Sequence, residues 1–310
     1  MAPSVSILPE SRAEECSFED ESDLYGLGIR LGVYMQWISA LIIVGFRFKG
    51  DNSLSQSYTM FLFAVFLAVL VITARSDPTH VAEMLVLTYI IFGGSFVISG
   101  TREKNAPIRR FDLDTVSHVL NLSIMMCLLT AAAAYCAWFW LRGMYRGTFL
   151  ETPCGTYGFL FAKVSLYDRR VTGFFAALSI VATISFGSVI AHLVLSVARV
   201  ASPARRNQLR LFPRPALLNN TTGDSESGTW AENRLMKVAR ALKAGTLVYS
   251  ILGIELTLHW NGITDVYDVA TTGQLIPFTI GLCGLVKIIF TPLLEVRLSH
   301  PYKTYFFIES

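Results

Sequence analysis

The sequence predicts an all-α bundle of about seven membrane-spanning helices. Three observations carry that reading. Hydrophobic residues make up 53% of the 310 residues and mean hydropathy is +0.48, too apolar for an ordinary soluble domain. The apolar residues come in blocks close to the ~20 residues that cross a bilayer, not at helical or strand spacing. Lys and Arg collect in the segments between blocks, as the positive-inside rule requires. The net charge of +3 is therefore a matter of membrane sidedness, and no nucleic-acid partner is implied.

Residues 1–25 form a polar, acidic tail with Glu14, Glu15, Glu19, Asp20, Glu21 and Asp23. It lacks the basic start and early apolar core of a signal peptide, so the first span is expected to act as its own insertion signal. The remainder, 26–310, reads as one transmembrane domain. The expected spans are 26–46, 58–73, 81–99, 118–141, 173–197, 242–260 and 274–296. A short apolar stretch at 157–164 is expected to form an interfacial or re-entrant helix. A flexible cytosolic loop is expected at about 199–241, because it holds Pro203, Pro213, Pro215 and a polar run at 219–228. The sequons at Asn219 and Asn220 fall in that loop and are expected to stay unmodified there. Cys16, Cys127, Cys136, Cys154 and Cys283 include no CxxC pair, so neither a zinc site nor a disulfide framework is expected.

The basic residues orient the bundle. The loop before the sixth span has nine: Arg199, Arg205, Arg206, Arg210, Arg214, Arg234, Lys237, Arg240 and Lys243. Arg102, Lys104, Arg109 and Arg110 precede the fourth span, Arg47 and Lys49 the second, and Arg297 and Lys303 follow the seventh. With seven spans all four segments share one side. The prediction is an N-terminus outside or lumenal and a cytosolic C-terminus, in an endoplasmic-reticulum membrane. The loop with Arg142, Arg146, Lys163, Arg169 and Arg170 counts the other way.

Candidate chemistry centres on 253–261, Gly-Ile-Glu-Leu-Thr-Leu-His-Trp-Asn. Glu255 falls inside the sixth span, where a charged carboxylate costs about 2.5 kcal/mol or more. His259, four residues on, shares its face. Trp260 sits at the interface. Asn261 opens a loop with Asp265 and Asp268 and no base, and Gln274 opens the last span. Glu83, near the start of the third span, is the second intramembrane acid and is expected at similar depth on the same side. Two acids in an apolar cavity suit proton donation and acceptance, and an acid surrounded by hydrocarbon is best kept protonated. In span one, Tyr34 and Trp37 share a face with Arg30 and offer aromatic faces that can shelter a cation. Lys287 is expected to snorkel toward the cytosolic side. Walker, GxGxxG, HExxH, DDxxD and GxSxG motifs are absent. The pair Asp112 and Asp114 reads as a solvated loop.

Three blocks carry a resemblance: 24–37 (LYGLGIRLGVYMQW), 154–161 (CGTYGFLF), and 254–261 (IELTLHWN) followed by 272–278 (TGQLIPF). They resemble the fungal membrane-bound terpene cyclases of the ascofuranone-biosynthesis type. The resemblance implies metal-free, cofactor-free cyclisation of an epoxidised prenyl chain on an aromatic polyketide, in meroterpenoid secondary metabolism. Its partners would be a hydrophobic prenylated small molecule and the bilayer. From the positions of the residues, Glu255 is expected to donate the proton, with Glu83 as second acid or final base. Tyr34, Trp37 and Trp260 would line the cavity, and His259 would stand beside Glu255. Asn261 and Gln274 would orient the substrate's oxygens. The other classes that fit seven spans are a non-enzymatic receptor or sensor and a small-metabolite transporter. No internal repeat supports the transporter.

Overall fold

The computed structural model describes residues 18–19, 22–46, 52–75, 79–98, 113–147, 149–152, 155–201, 226–264, 266–269 and 271–299. It is an all-α helical bundle. A short helix α1 (Ser22–Tyr25) precedes α2 (Leu27–Phe46), α3 (Asn52–Arg75), α4 (Val81–Gly93), α5 (Ser95–Ile98), α6 (Leu113–Leu141), α7 (Arg169–Ala201), α8 (Glu226–Trp260) and α9 (Thr272–Ser299). Six helices are long and apolar enough to cross a membrane, over Leu27–Gly45, Ser53–Ala74, Val119–Leu141, Arg169–Leu195, Lys237–Trp260 and Thr272–Phe290. The chain is thus a multi-pass membrane protein by helix length and composition. Outward faces agree, because Phe174, Ile184, Leu195, Ile276 and Phe290 are all exposed, as only lipid contact tolerates in such number.

The expected third span is two pieces. α4 stops at Gly93, Gly94 forms a turn, and α5 resumes at Ser95. The ring of Trp37 in α2 lies against Gly94 where a Cβ would stand, so the break leaves room for a buried indole. The expected loop at 199–241 is also narrower. α7 runs to Ala201 and α8 already begins at Glu226; residues 202–225, with both sequons, lie outside the described residues.

The stretch 157–164 is not a helix. Strands β4 (Tyr157–Phe159) and β5 (Lys163–Ser165) pair antiparallel, after β1 (Phe18–Glu19), β2 (Thr79–His80) and β3 (Phe149–Leu150) and before β6 (Ile263–Thr264). Eight residues are too few for a self-supporting helix, and their aromatics fit a strand better. At the tip Phe161 takes φ 61° and is exposed. The hairpin lies along α8. Phe159 meets Trp260 at 6.2 Å, and Phe161 meets Tyr249, eleven residues earlier on the helix, at 5.1 Å. The tip therefore reaches well down the span. There its carbonyls need partners, since lipid offers none. Tyr89 supplies one, donating to Phe159 O at 2.5 Å.

Two helix pairs frame the rest. α6 and α7 form a long antiparallel hairpin, with Trp140 stacked on Phe175 at 4.9 Å. α2 packs intimately on α9 and more lightly on α8, while α8 and α9 share no substantial interface among the described residues. That leaves a lateral cleft between α8 and α9, floored by α2.

Candidate functional site

The cleft is polar at its floor. Arg30, in the first turn of α2, is fully buried. Its Nη1 donates to Glu255 Oε2 at 2.5 Å, and its Nη2 donates to Val266 O at 2.9 Å. The guanidinium also stands 5.1 Å from the centre of the Tyr267 ring, a cation–π distance. Tyr34 lies one turn further along α2, so it presents its hydroxyl on the same face. That hydroxyl donates to Glu255 Oε1 at 2.8 Å. Both carboxyl oxygens of Glu255 thus accept bonds from α2. The Glu255 side chain is still 37% exposed, whereas Arg30 is at 0%. The acid faces the opening and its counter-charge lies behind it.

Packing explains this placement. Gly253 lets α8 close on Tyr89, since a Cβ there would sit 2.9 Å from that ring. Glu255, two residues on, is turned toward α2 instead. Loop residues after α8 then close over Arg30 through Val266, which is fully buried. Trp37 meets Tyr34 at 5.8 Å between ring centres. It is wholly buried at the α4–α5 break, so it forms the back of the site.

Gln274 joins the site from α9. It is fully buried, and its Oε1 accepts the Gly28 N–H at 3.3 Å. Gly28 lies in the first turn of α2, where backbone donors have no helical acceptor. Two buried donors are left over: Arg30 Nε and Gln274 Nε2 have no hydrogen-bond partner among the described residues. Buried donors of this kind are rare and call for an acceptor.

Trp260 and Asn261 form a second group, around the hairpin. Asn261 is buried and its amide is fully engaged. Oδ1 accepts from Tyr157 N at 2.9 Å and from Thr152 Oγ1 at 3.4 Å. Nδ2 donates to Tyr157 O and Thr257 O, each at 2.6 Å. This clamp ties β4 to the end of α8. Trp260 is half-buried against Phe159. His259 is exposed, so sharing Glu255's face by spacing does not bring it under cover.

Glu83 is buried, at 3% exposure. Its Oε1 accepts the His80 N–H at 2.9 Å, a capping-box contact at the start of α4. α4 and α8 run antiparallel: Gly93 faces Ser250 and Gly253 faces Tyr89. Glu83 and Glu255 therefore lie toward the same end of the bundle, offset along the axis by about 6 Å, from the 1.5 Å rise per residue.

Arg30 is the member that spacing alone did not assign a role. The signal was present, because an acid inside a span needs a counter-charge. Span one offers a guanidinium one turn from Tyr34. Sorting Lys and Arg only by loop side leaves that residue uncounted. No family model, curated protein or solved structure matches this chain.

Proposed function

We propose that the chain is a membrane-bound terpene cyclase that protonates an epoxidised prenyl chain and cyclises it without metal. The observation that carries the reading is a carboxyl group half-exposed in a lateral cleft, backed by a buried guanidinium, a tyrosine and a tryptophan. A prenyl chain is apolar and partitions into the bilayer, so a cleft between spans is a direct route in. In the scheme the proton is carried on Glu255 Oε1. It passes to the epoxide oxygen, a C–O bond breaks, and the resulting cation is captured by the chain's own double bonds. Tyr34 turns its hydroxyl to the same oxygen. Arg30 Nε and Gln274 Nε2 are the unused donors available to the substrate's other oxygens. Aromatic faces and exclusion of water protect the cation. Loss of a C–H proton to Glu83, or back to Glu255, ends the sequence with no net change in mass.

The same proposal places the protein in the endoplasmic reticulum. α4 with α5 counts as a seventh span, the N-terminus is lumenal and the C-terminus cytosolic. A second reading, a seven-helix sensor, is favoured by one feature: both oxygens of Glu255 are already bonded, so a ligand competing for Arg30 would loosen α2 from α8.

Microsomes with an epoxidised farnesyl-aromatic substrate test the cyclase. Wild type is expected to give a cyclised isomer of unchanged mass, and Glu255→Gln, compared at equal folded protein, to lose about 100-fold or more. Equal product from both sinks the proton-donor role. No product from either, across several such substrates, favours the sensor.

Glu83→Gln separates two jobs. Glutamine keeps the capping bond, so the variant should fold with unchanged melting temperature. A drop in turnover would mark Glu83 as the second acid, and unchanged turnover would leave it a cap.

A further inference from the structure

We infer that a recess between α2, α3 and α9, remote from the Glu255 cleft, binds the phosphate of an anionic phospholipid. The recess has a volume of about 50 Å³, several times the minimum that holds a water. Its polar lining is Gln36, Ser53, Ser57 and Lys287, and its apolar lining includes Leu54, Ile280 and Ile288. No Asp or Glu contributes.

Three features point to an anion. α3 begins at Asn52, so the first-turn N–H groups near Ser53 and Leu54 have no helical acceptor and carry the positive end of the dipole. The Lys287 ammonium donates to Ser53 Oγ at 3.5 Å, which holds a full positive charge at the same helix start. Gln36 is only 2% exposed, lines the recess, and its Oε1 has no hydrogen-bond partner among the described residues. A buried amide with an open position is costly unless something occupies it. It can accept from a protonated phosphate oxygen or, turned over, donate to an ionised one.

Position selects the lipid. The span in α3 begins at Ser53 and that in α9 ends at Phe290, so Ser53 and Lys287 both lie where hydrocarbon gives way to headgroups. Leu54, Ile280 and Ile288 then suit the glycerol and the first acyl carbons. Free phosphate would use the polar half of the lining only.

The test uses the full-length protein in nanodiscs of phosphatidylcholine containing dilute phosphatidate, read by native mass spectrometry. Wild type is expected to retain one phosphatidate. Lys287→Gln should weaken retention about fivefold, the worth of one interfacial lysine, and Gln36→Leu should weaken it too. Lys237→Gln, an exposed lysine of α8 outside the recess, should leave it unchanged. Equal loss from Lys287→Gln and Lys237→Gln would reduce the effect to general charge and overturn the site. So would retention by Lys287→Gln equal to wild type. Stabilisation of wild type by inorganic phosphate as strongly as by phosphatidate, absent in Lys287→Gln, would reassign the ligand to free phosphate and overturn the lipid.

Discussion

Arg30→Met is expected to destabilise the bundle by about 3–5 kcal/mol, the cost of removing one partner of a buried ion pair. The lost contacts are the bonds to Glu255 and Val266 O and the contact with Tyr267. The larger effect is what stays behind: a carboxylate at membrane depth with its counter-charge gone, worth about 2.5–3.5 kcal/mol on insertion scales. Two estimates from different physics thus agree in size. The pair predicts its own rescue. Arg30→Met with Glu255→Leu removes both charges and should recover most of the loss, giving a coupling energy of about 2–3 kcal/mol in a double-mutant cycle. Thermal unfolding in detergent, followed by size exclusion, reads all four proteins. Additive losses would mean that Arg30 and Glu255 act independently, and the picture of one charge network joining α2 to α8 would fall.

The parts of this molecule that depend on long apolar runs were legible in the sequence. The first span, expected at 26–46, is α2 at Leu27–Phe46; the fourth and sixth end at Leu141 and Trp260 as expected. Hydrocarbon thickness imposes those lengths, so composition reports them directly. Where the structure departs, the governing physics is local or tertiary. Glu226–Lys243 is helical although its charges read as a loop, because a helix leaving the membrane needs no apolar run. The hairpin at Tyr157–Ser165 depends on Asn261 and Tyr89, more than a hundred and about seventy residues away along the chain. The break at Gly94 depends on Trp37. The site divides in the same way. Glu255 and Tyr34 were identified by type and position, and they do meet. Asn261 was identified by type, but its partners are backbone atoms of β4, and spacing carries no information about them.

Gly32→Leu is expected to be the most damaging substitution in the chain, at more than ~4 kcal/mol, which leaves little folded protein. The reason is the α2–α9 contact. Gly28 and Gly32 form a GxxxG pair on α2, the arrangement that lets helix backbones approach closely in a membrane. Pro277 and Gly281 answer on α9. A Cβ at Gly32 would overlap the carbonyl of Pro277, and one at Gly281 would overlap the carbonyl of Gly32. The obstacle on both sides is backbone, so no side-chain rotation relieves it and the helices must separate. Separation would also pull Gln274 away from the Gly28 N–H, bonded at 3.3 Å, and so reach the Arg30 end of the cleft. Gly45, on the same helix with nothing within 4 Å of its built Cβ, supplies the control: Gly45→Leu should fold normally. Expression with fluorescence-detected size exclusion checks both. If Gly32→Leu runs as a sharp peak with wild-type stability, α2 and α9 are not in backbone contact and the floor of the cleft is not where the structure puts it.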